Sequence, residues 1–314
     1  MSSTYLVTGG AGFIGSNIAE HLANTGQTVR VIDNFLTGKP ENISTFKDKI
    51  DFIEGDIRSL DTMRKAVEGV DYVIHQAALP SVPKSVEIPL ESNDHNINGT
   101  LNVLVAARDA KVKRVIYAAS SAAYGDTPTL PKVETMPTKP LSPYAVNKLA
   151  AEYYCSVFTN VYGLETVSLR YFNVFGPRQD PTSFYSAVIP LFIKALLEGK
   201  APTIYGDGEQ SRDFSYIDNI VSANLLACTA EGAAGQMFNI ACGDRISLND
   251  LYAHLQKILG VNIPVKYAEE RTGDIKHSLA DINKAEKILG YKVKVSVRDG
   301  LEKTVNWFRE YYKM

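Results

Sequence analysis

The sequence lacks any apolar run near the roughly 20 residues that cross a bilayer. Its start, MSSTYLVTGG, also lacks the basic-then-apolar order of a signal peptide. Neither charge is in excess, because 33 Lys and Arg stand against 35 Asp and Glu. A balanced charge argues against nucleic acid or a membrane surface as the main partner. We therefore expect a cytoplasmic protein that binds neither.

Cysteine and histidine are scarce and scattered. Cys155, Cys228 and Cys242 lie far apart in the chain, so they offer neither a disulfide framework nor a CxxC metal site. The five histidines form no HxxxH or HxH pair. The sequence thus predicts inert core thiols and no metal site.

Short β-branched segments alternate with helical patterns in the first half of the chain. The segments TVRVI, DYVIH and RVIYA are apolar on both faces, as expected when helices cover both sides of a sheet. Strands that alternate with helices form parallel, doubly wound sheets. We therefore predict an α/β fold of the Rossmann type, with long helices at 96–110 and 144–162.

A glycine-rich turn joins the first predicted strand to the first predicted helix. In YLVTGGAGFIG, the glycines Gly9, Gly12 and Gly15 allow the backbone to approach a pyrophosphate at the helix N-terminus. The spacing is GxxGxxG, and glycines after strands are often simple turns. The context of strand, turn and helix favours a dinucleotide site.

Asp33 ends the second predicted strand, 18 residues after Gly15 (33 − 15). An acidic side chain at this place accepts both ribose hydroxyls and repels a 2′-phosphate, so the sequence favours NAD over NADP. Asp33 could instead cap the loop DNFLTG. Asp56 and Ile57 follow the third predicted strand and are expected near the adenine, although a simple turn explains them nearly as well.

A tyrosine and a lysine lie four residues apart at the start of a predicted helix. In LSPYAVNK, Ser142 suits the N-cap and Pro143 the first turn, so Tyr144 and Lys148 share one face. A nearby ammonium lowers the pKa of a phenol, which makes the pair a usable general acid and base. Such a pair also arises by chance on amphipathic helices.

The surroundings of the pair favour catalysis. The strand RVIYA runs into Ser120 and Ser121 at the carboxyl edge of the predicted sheet, where open α/β folds bind their ligands. Ser120 can hydrogen-bond a substrate hydroxyl, whereas a turn leaving the strand explains Ser121 better. We therefore predict hydride transfer assisted by Ser120, Tyr144 and Lys148.

Motifs along nearly the whole chain resemble those of one family. TGGAGFIG, HQAA, NINGT, AASSAAYG, SPYAVNK and RYFNVFGPRQ, in this order, resemble an extended short-chain dehydrogenase/reductase. TIYGDGEQSRDFSYIDN and RTGDIKHSLADINKA make the resemblance most specific to the UDP-hexose 4-epimerases, and above all to those that accept UDP-N-acetylglucosamine. It implies a homodimer with tightly bound NAD that inverts C4 of a UDP-sugar through a 4-keto intermediate.

The resemblance also implies the residues of the site, with Ser120, Tyr144 and Lys148 as the catalytic triad. The cofactor-binding residues that it implies are Gly9, Gly12, Phe13, Ile14, Gly15, Asp33, Asn34, Asp56, Ile57, Gln76, Ala77, Ala78, Asn96, Tyr144, Lys148 and Tyr171, with Asn98 steadying the same region. The substrate-binding residues that it implies are Ser81, Ser120, Ser121, Tyr144, Asn173, Val188, Tyr205, Arg212, Arg271, Asp274 and Ser278. Arginines suit a diphosphate and a carboxylate suits a ribose diol.

Two positions narrow the reaction. Related sugar-nucleotide dehydratases and decarboxylases carry acidic residues just after the triad serine, where this chain has Ser121 and Ala122. Chemistry beyond hydride transfer therefore lacks its acid or base. A 4-reductase or dehydrogenase, a UDP-uronate 4-epimerase and a non-catalytic NAD-binding protein share the other motifs and stay open as alternatives.

Ser278 bears on the choice of sugar. In the 4-epimerases this position, just before the LAD segment, is associated with tolerance of an N-acetyl group at C2. A small residue opens the pocket, so UDP-GlcNAc and UDP-GalNAc are expected beside UDP-Glc and UDP-Gal. A serine that merely starts a helix or strand is the alternative.

The second half of the chain differs in rhythm from the first. Beyond about Gly176 it becomes a series of segments punctuated by Pro and Gly, which predicts a smaller mixed α/β domain. We expect an NAD-binding domain at 1–176, joined by part of 213–240, and an interlocked substrate domain at 177–314. The family's dimer would pack helices 96–110 and 144–162 as a bundle, although their apolar faces could equally be core. These faces contain Leu101, Leu104, Val105, Tyr153, Val157 and Val161.

Overall fold

The computed structural model describes residues 2–181, 187–270 and 275–312. Its strands are β1 Thr4–Thr8, β2 Thr28–Asp33, β3 Asp51–Glu54, β4 Tyr72–His75, β5 Arg114–Ser120, β6 Glu165–Tyr171, β7 Val174–Phe175, β8 Thr203–Tyr205, β9 Ser211–Arg212, β10 Ser215–Tyr216, β11 Gln236–Ile240, β12 Ile246–Ser247 and β13 Lys266–Ala268. Its α-helices are α1 Phe13–Asn24, α2 Leu60–Ala66, α3 Val82–Glu87, α4 Pro89–Asn93, α5 Gly99–Asp109, α6 Pro143–Tyr162, α7 Val188–Leu197, α8 Ile217–Thr229, α9 Leu248–Leu259, α10 Asn283–Leu289 and α11 Val297–Tyr312. None of the helices in these ranges is both long enough and apolar enough to cross a membrane.

Seven strands form one parallel sheet in the order β11-β6-β5-β4-β1-β2-β3. The chain moves outward from β1 to β3 and then returns to β4, on the other side of β1. This reversal leaves a crevice at the carboxyl ends of β1 and β4, where doubly wound folds bind nucleotides. The predicted α/β fold of the Rossmann type is confirmed.

Both faces of the sheet are buried, which explains why its strands are apolar throughout. Val7 and Val31 belong to a buried cluster with side chains of α1 and α8. The neighbouring residues Leu6 and Ile32 belong to a second cluster with side chains of α2, α5 and α6. Since successive residues of a strand point to opposite faces, each strand fills two cores at once.

The second half of the chain adds short strand pairs and a group of helices. Strand β7 pairs with β10, β8 with β13 and β9 with β12, while α7, α9 and α11 pack together. Between them the chain returns to the large sheet, because α8 packs against it and β11 pairs with β6. Strand β7 follows β6 almost directly, so the short strands β7, β9 and β10 lie at the carboxyl edge of the large sheet.

The helix predicted at 96–110 contains a π turn at its beginning. Residues Asp94–Asn98 form a π turn, and the regular helix α5 covers Gly99–Asp109. A π turn closes its hydrogen bond over one more residue than an α turn. It therefore rotates the side chains that precede it relative to those of the helix, and this rotation affects the site described next.

Candidate active site

In the glycine turn after β1, the backbone of Gly9 packs closely against Gly15 and Ala77. A Cβ on Gly15 would lie 2.2 Å from the carbonyl oxygen of Gly9, and a Cβ on Gly9, whose φ is +67°, would lie 2.7 Å from the backbone of Ala77. Gly12 caps α1 without a side-chain hydrogen bond, so the first turn of α1 opens towards a cleft. This opening fits a pyrophosphate, whose charge favours a helix N-terminus. Phe13 and Ile14 line the same cleft, as predicted.

Asp33 lines the cleft at the end of β2. Its carboxylate accepts hydrogen bonds from the amides of Ala11 at 2.9 Å and Phe35 at 2.8 Å. Burial raises the pKa of Asp33, and these amide donors oppose the rise. Asp33 therefore caps the loop that follows β2, which was the alternative prediction for this residue. It also lines the cleft.

Asn34 and Ile57 line the cleft, whereas Asp56 lies beside it in a charged cluster. Asp56 accepts hydrogen bonds from Asn34 Nδ2 at 2.9 Å and from Arg58 Nη2 at 2.8 Å. Burial acts to raise the pKa of Asp56, but the contacts with Arg58 lower it to about 2. Asp56 thus stays ionised and holds Asn34 in place.

The loop after β4 forms another wall of the cleft. Gln76, Ala77, Ala78 and Tyr171 all line it, as predicted. Gln76 Nε2 donates to Tyr171 Oη at 3.0 Å and to Asn224 Oδ1 at 3.2 Å. These bonds fix the Gln76 amide against β6 and α8.

Asn96, predicted to contact the cofactor, is buried behind the wall of the cleft. Its side chain donates to the carbonyl oxygen of Leu79 at 3.1 Å and accepts from the amide of Leu79 at 2.8 Å. His95, which was not predicted, lines the cleft. The π turn is the physical reason, since a regular helix would place these two side chains differently. Asn98 bonds Asp94 on the outside of the same turn.

Tyr144 and Lys148 lie on α6, and both line the cleft. Ser142 caps the helix with its hydroxyl and Pro143 begins it, as predicted. Lys148 is buried, and its Nζ donates to the carbonyl oxygen of Ala118 at 2.9 Å. Burial lowers the pKa of Lys148 to about 8. The pair therefore shares one face of the helix, with the lysine already held by the backbone of β5.

Ser120 ends β5 beside the side chain of Tyr144. Burial raises the pKa of Tyr144, and the Ser120 hydroxyl opposes the rise. The ammonium of Lys148, which was predicted to lower this pKa, is directed to the carbonyl oxygen of Ala118, and burial sets the direction of the shift. Tyr144 therefore holds its proton at neutral pH, and Ser120 is the neighbour that eases its release.

A second pocket lies beside this cleft at the carboxyl edge of the sheet. Asn173, Val188 and Arg212 line it, and the Arg212 guanidinium donates to the carbonyl oxygens of Ser211 and Lys276, both at 3.0 Å. Aromatic and aliphatic side chains form the rest of its wall. A positioned cation among apolar walls suits a ligand that joins phosphate to a planar base.

Ser278 borders this pocket through Asn173, although 105 residues separate the two. Asn173 Nδ2 donates to Ser278 Oγ at 3.1 Å and to the carbonyl oxygen of Asp213 at 2.9 Å. Asn173 has a φ of +29°, which is uncommon for a residue other than glycine. Asn173, which was predicted to bind the UDP part of the substrate, is thus in direct contact with Ser278, the residue predicted to bear on the choice of sugar.

The other predicted substrate residues are dispersed. Ser81 has a φ of +94° and caps α3 by accepting the amide of Lys84. Ser121 begins a short 3-10 turn, as its alternative prediction stated. Tyr205 ends β8 with 37% of its surface exposed. Arg271 and Asp274 lie outside the described residues.

Two aromatic residues of the second pocket, Phe175 and Phe214, were not predicted. Each lies two residues after a predicted pocket residue, Asn173 or Arg212. In extended backbone, residues two apart point to the same side. This spacing was the signal in the sequence that could have found them.

The crevice at the strand reversal, the glycine turn and the Tyr144–Lys148 pair define an extended short-chain dehydrogenase/reductase. The family model described as the NAD dependent epimerase/dehydratase family matches residues 5–241. The chain therefore belongs to the NAD dependent epimerase/dehydratase family. NAD, predicted from the glycine turn and Asp33, is confirmed as its cofactor.

Relatives within this family resemble the chain over its full length. The UDP-glucose 4-epimerase of Mycolicibacterium smegmatis is 36% identical over 97% of this chain and 98% of its own. The UDP-N-acetylglucosamine 4-epimerase of Methanobrevibacter ruminantium M1, solved in complex with UDP-N-acetylmuramic acid, is 43% identical with a TM-score of 0.95, covering 100% of both chains. The UDP-glucuronic acid 4-epimerase of Bacillus cereus, solved with UDP-glucuronic acid and NAD, is 34% identical with a TM-score of 0.91, covering 98% of this chain and 100% of its own.

Proposed function

We propose that this protein is an NAD-dependent UDP-hexose 4-epimerase that acts on UDP-GlcNAc and UDP-GalNAc, with UDP-Glc and UDP-Gal as further substrates. The observation that carries the proposal is that Tyr144 and Lys148, with Ser120 beside Tyr144, line a cleft that fits NAD, while a second pocket that fits UDP lies at the same edge of the sheet. Ser121 and Ala122 leave this cluster without the carboxylate that elimination or decarboxylation would need. The similar proteins named above act at C4, in agreement with the proposal.

The residues of the cluster divide the work between proton transfer and positioning. Bound in the cleft lined by Gly12, Asp33 and Lys148, NAD would supply reversible hydride transfer at C4 of the sugar. Tyr144 Oη exchanges a proton with O4, and the Ser120 hydroxyl offsets part of the burial that makes this proton hard to release. Lys148, held by the carbonyl oxygen of Ala118, supplies a fixed donor one helical turn away.

Epimerisation requires a sugar that turns while its nucleotide stays bound. Arg212 is anchored to two backbone carbonyl groups and offers the diphosphate a cation that needs no reordering. Binding energy from this remote part of the substrate holds a ketone that the active site grips only loosely. In this proposal, the second pocket therefore supplies most of the affinity for the UDP part of the substrate, and hydride and proton transfer occur in the cleft.

Ser278 supports the preference for N-acetylated sugars. It is small, and its hydroxyl bonds Asn173, which lines the second pocket. A larger side chain at this position would reduce the space beside Asn173. We propose that this space admits the C2 N-acetyl group.

The proposal extends to the whole chain. Residues 1–176, with α8 and β11, would bind NAD, and 177–314 would supply most of the UDP-sugar pocket. Two copies would associate through the exposed side of α6, where Tyr153, Val157 and Val161 are 45–66% exposed. These three residues follow one another at intervals of four, so they form a single stripe on the helix.

One assay tests the proposal. The NAD-loaded protein is incubated with UDP-GlcNAc, UDP-Glc and UDP-glucuronic acid, and the products are resolved by chromatography. We expect C4 epimers without net reduction of NAD, fastest with UDP-GlcNAc. Tyr144→Phe should lower kcat about 100-fold or more, because general acid–base catalysis contributes at least that much. Tyr154→Phe, a change on the same helix away from the cleft, should leave kcat unchanged.

The outcomes separate the alternatives. Net formation of NADH, followed by its absorbance, would show a dehydrogenase, and epimerisation of UDP-glucuronic acid alone would show a uronate epimerase. Normal turnover by Tyr144→Phe would overturn the mechanism. Ser278→Tyr should lower kcat/KM for UDP-GlcNAc at least tenfold relative to UDP-Glc, and an unchanged ratio would show that Ser278 is no gate.

A further inference from the structure

Asp213 lies between two residues of the second pocket and is itself fully buried. Arg212 and Phe214 line the pocket on either side of it in the chain. Because successive residues of extended backbone alternate in direction, the Asp213 side chain points away from the pocket and into the protein. A buried carboxylate needs strong hydrogen-bond partners to be tolerated there.

The Asp213 carboxylate finds its partners in two distant segments of backbone. Oδ1 accepts the amide of Cys242 at 2.9 Å, and Oδ2 accepts the amides of Gly243 at 3.1 Å and Ala280 at 3.2 Å. Cys242 and Gly243 lie in the turn after β11, and Ala280 lies just before α10. One side chain thus joins the segment of Arg212 to the edge of the large sheet and to the last part of the chain.

The backbone of Asp213 makes the remaining connections to the pocket. Its carbonyl oxygen accepts Asn173 Nδ2 at 2.9 Å, and its amide donates to Ser278 Oγ at 3.3 Å. Asn173 and Ser278 also bond each other. Arg212, its neighbour in the chain, Asn173 and Ser278 therefore meet at Asp213.

We propose that Asp213 is a positioning residue for the nucleotide-sugar pocket. Its carboxylate fixes residues 211–214 against the 242–243 turn and Ala280, and this fixes the directions of Arg212, Asn173 and Ser278. The inference rests on the proposed function, because it assigns the pocket to the UDP part of the substrate. The residue acts through its neighbours and makes no contact with the ligand.

Asp213→Asn tests the proposal with almost no change in volume. An amide has one acceptor oxygen where the carboxylate has two, and its N–H groups would face the N–H groups of the backbone. At least one of the three backbone bonds is therefore lost and the 211–214 segment loosens. Binding of UDP to the NAD-loaded protein, measured by titration calorimetry, should weaken about tenfold. KM for the UDP-sugar should rise to a similar degree, with kcat within twofold and the NAD content unchanged.

Thr166→Val is the matched control. Thr166 is equally buried, and its hydroxyl bonds the carbonyl oxygen of Cys155 and the hydroxyl of Thr159 near the start of β6, at the opposite end of the sheet. This variant removes buried hydrogen bonds without touching the pocket. It should bind UDP like the wild type even if its melting temperature falls as far as that of Asp213→Asn.

The outcomes distinguish failure of the proposed function from failure of the positioning role of Asp213. If the wild type fails to bind UDP, the proposed function fails. If the wild type binds UDP and Asp213→Asn binds it equally well, the positioning role of Asp213 is overturned. If Asp213→Asn does not fold, Asp213→Glu is used instead. It keeps the negative charge but moves the carboxylate by one methylene group, and its affinity for UDP is compared with that of the wild type in the same way. If neither variant folds with NAD bound, Asp213 serves the fold as a whole and the proposal is likewise overturned.

Discussion

Lys148 carries an amine in a place where the fold disfavours its charge. The side chain is 5% exposed, and burial lowers its pKa from 10.5 to about 8. Each unit of such a shift corresponds to about 1.4 kcal/mol, so the buried ammonium costs roughly 3 kcal/mol of stability at neutral pH. This loss of stability accompanies the placement of a positively charged hydrogen-bond donor in the cleft, one helical turn from Tyr144.

Lys148→Met should therefore stabilise the nucleotide-free protein by roughly 3 kcal/mol at pH 7. The pKa is lowered on folding, so the wild type gains stability as the pH rises from about 8 towards 10.5, where the unfolded chain still holds a proton that the folded protein has lost. The advantage of the variant should shrink over the same range. Urea unfolding of both proteins at several pH values measures the difference.

The exposed lysine Lys65, in α2, provides the control for this experiment. Lys65→Met should follow the pH dependence of the wild type. A Lys148→Met protein that is less stable than the wild type at pH 7 would show that the bond to Ala118 outweighs the burial of charge.

Residues of the site were predictable where the chemistry depends on local spacing. The three glycines and the Tyr144–Lys148 pair act within one turn each, so their sequence carries the whole signal. The contact of Asn173 with Ser278 depends on how segments 105 residues apart come together, and no local pattern encodes it. The direction of the pKa shift of Tyr144 could not be predicted for a similar reason, because the burial of a side chain depends on the whole cleft.

At the scale of elements, α6 and β6 are joined by a fully buried ion pair. Arg170 of β6 donates to Glu152 of α6 through Nε at 2.8 Å and Nη2 at 2.6 Å, and both side chains are 3% exposed. The Arg170 guanidinium also lies 4.7 Å from the ring centre of Tyr124. The catalytic helix is thus fixed to the sheet at a point two turns beyond Tyr144.

Removing one partner of this pair should be strongly destabilising. Glu152→Gln leaves a buried guanidinium without its counter-charge, and we expect a loss of about 3 kcal/mol in the free energy of unfolding. Glu165→Gln, at the start of the same strand, breaks a pair with Arg114 in which the glutamate is 48% exposed, and should cost less than about 1 kcal/mol. Equal losses in urea unfolding would show that burial does not set the strength of these pairs.

Elements with a regular apolar pattern were predicted closely, and irregular ones were not. The segment TVRVI, predicted as a strand, lies within β2, and the helix predicted at 144–162 matches α6 to within one residue. The helix predicted at 96–110 is helical up to Asp109, but its π turn at Asp94–Asn98 was not predicted, because it breaks the period of 3.6 residues on which the prediction rests. Strand β11 was missed as an element because its pairing partner β6 is distant in sequence.

At the scale of the whole molecule, the exposed stripe on α6 is the feature that a single copy leaves unexplained. Leu104, from the other predicted face, is buried in the core, whereas Tyr153, Val157 and Val161 face outward. Exposed apolar stripes of this kind commonly mark association surfaces. We expect the wild type to sediment as a dimer at micromolar concentration.

Val157→Asp, in the middle of the stripe, should convert the dimer to a monomer, because an unpaired carboxylate would be buried in the interface. Val293→Asp, at an exposed site before α11, should leave the mass unchanged. Sedimentation velocity distinguishes the two states. If Val157→Asp remains a dimer, the interface does not include this stripe of α6. If the wild type is a monomer, the prediction of a dimer is wrong.

The double role of Asp33 has a consequence for redesign of the cofactor preference. A change from NAD to NADP begins with removal of this carboxylate, which repels the 2′-phosphate. In this protein the same oxygens support the amides of Ala11 and Phe35, and Phe35 has a φ of +56°. An engineer who replaces Asp33 alone would therefore unsettle the loop meant to receive the new phosphate. A successful exchange would need to transplant the loop as a unit, together with a substitute acceptor for both amides.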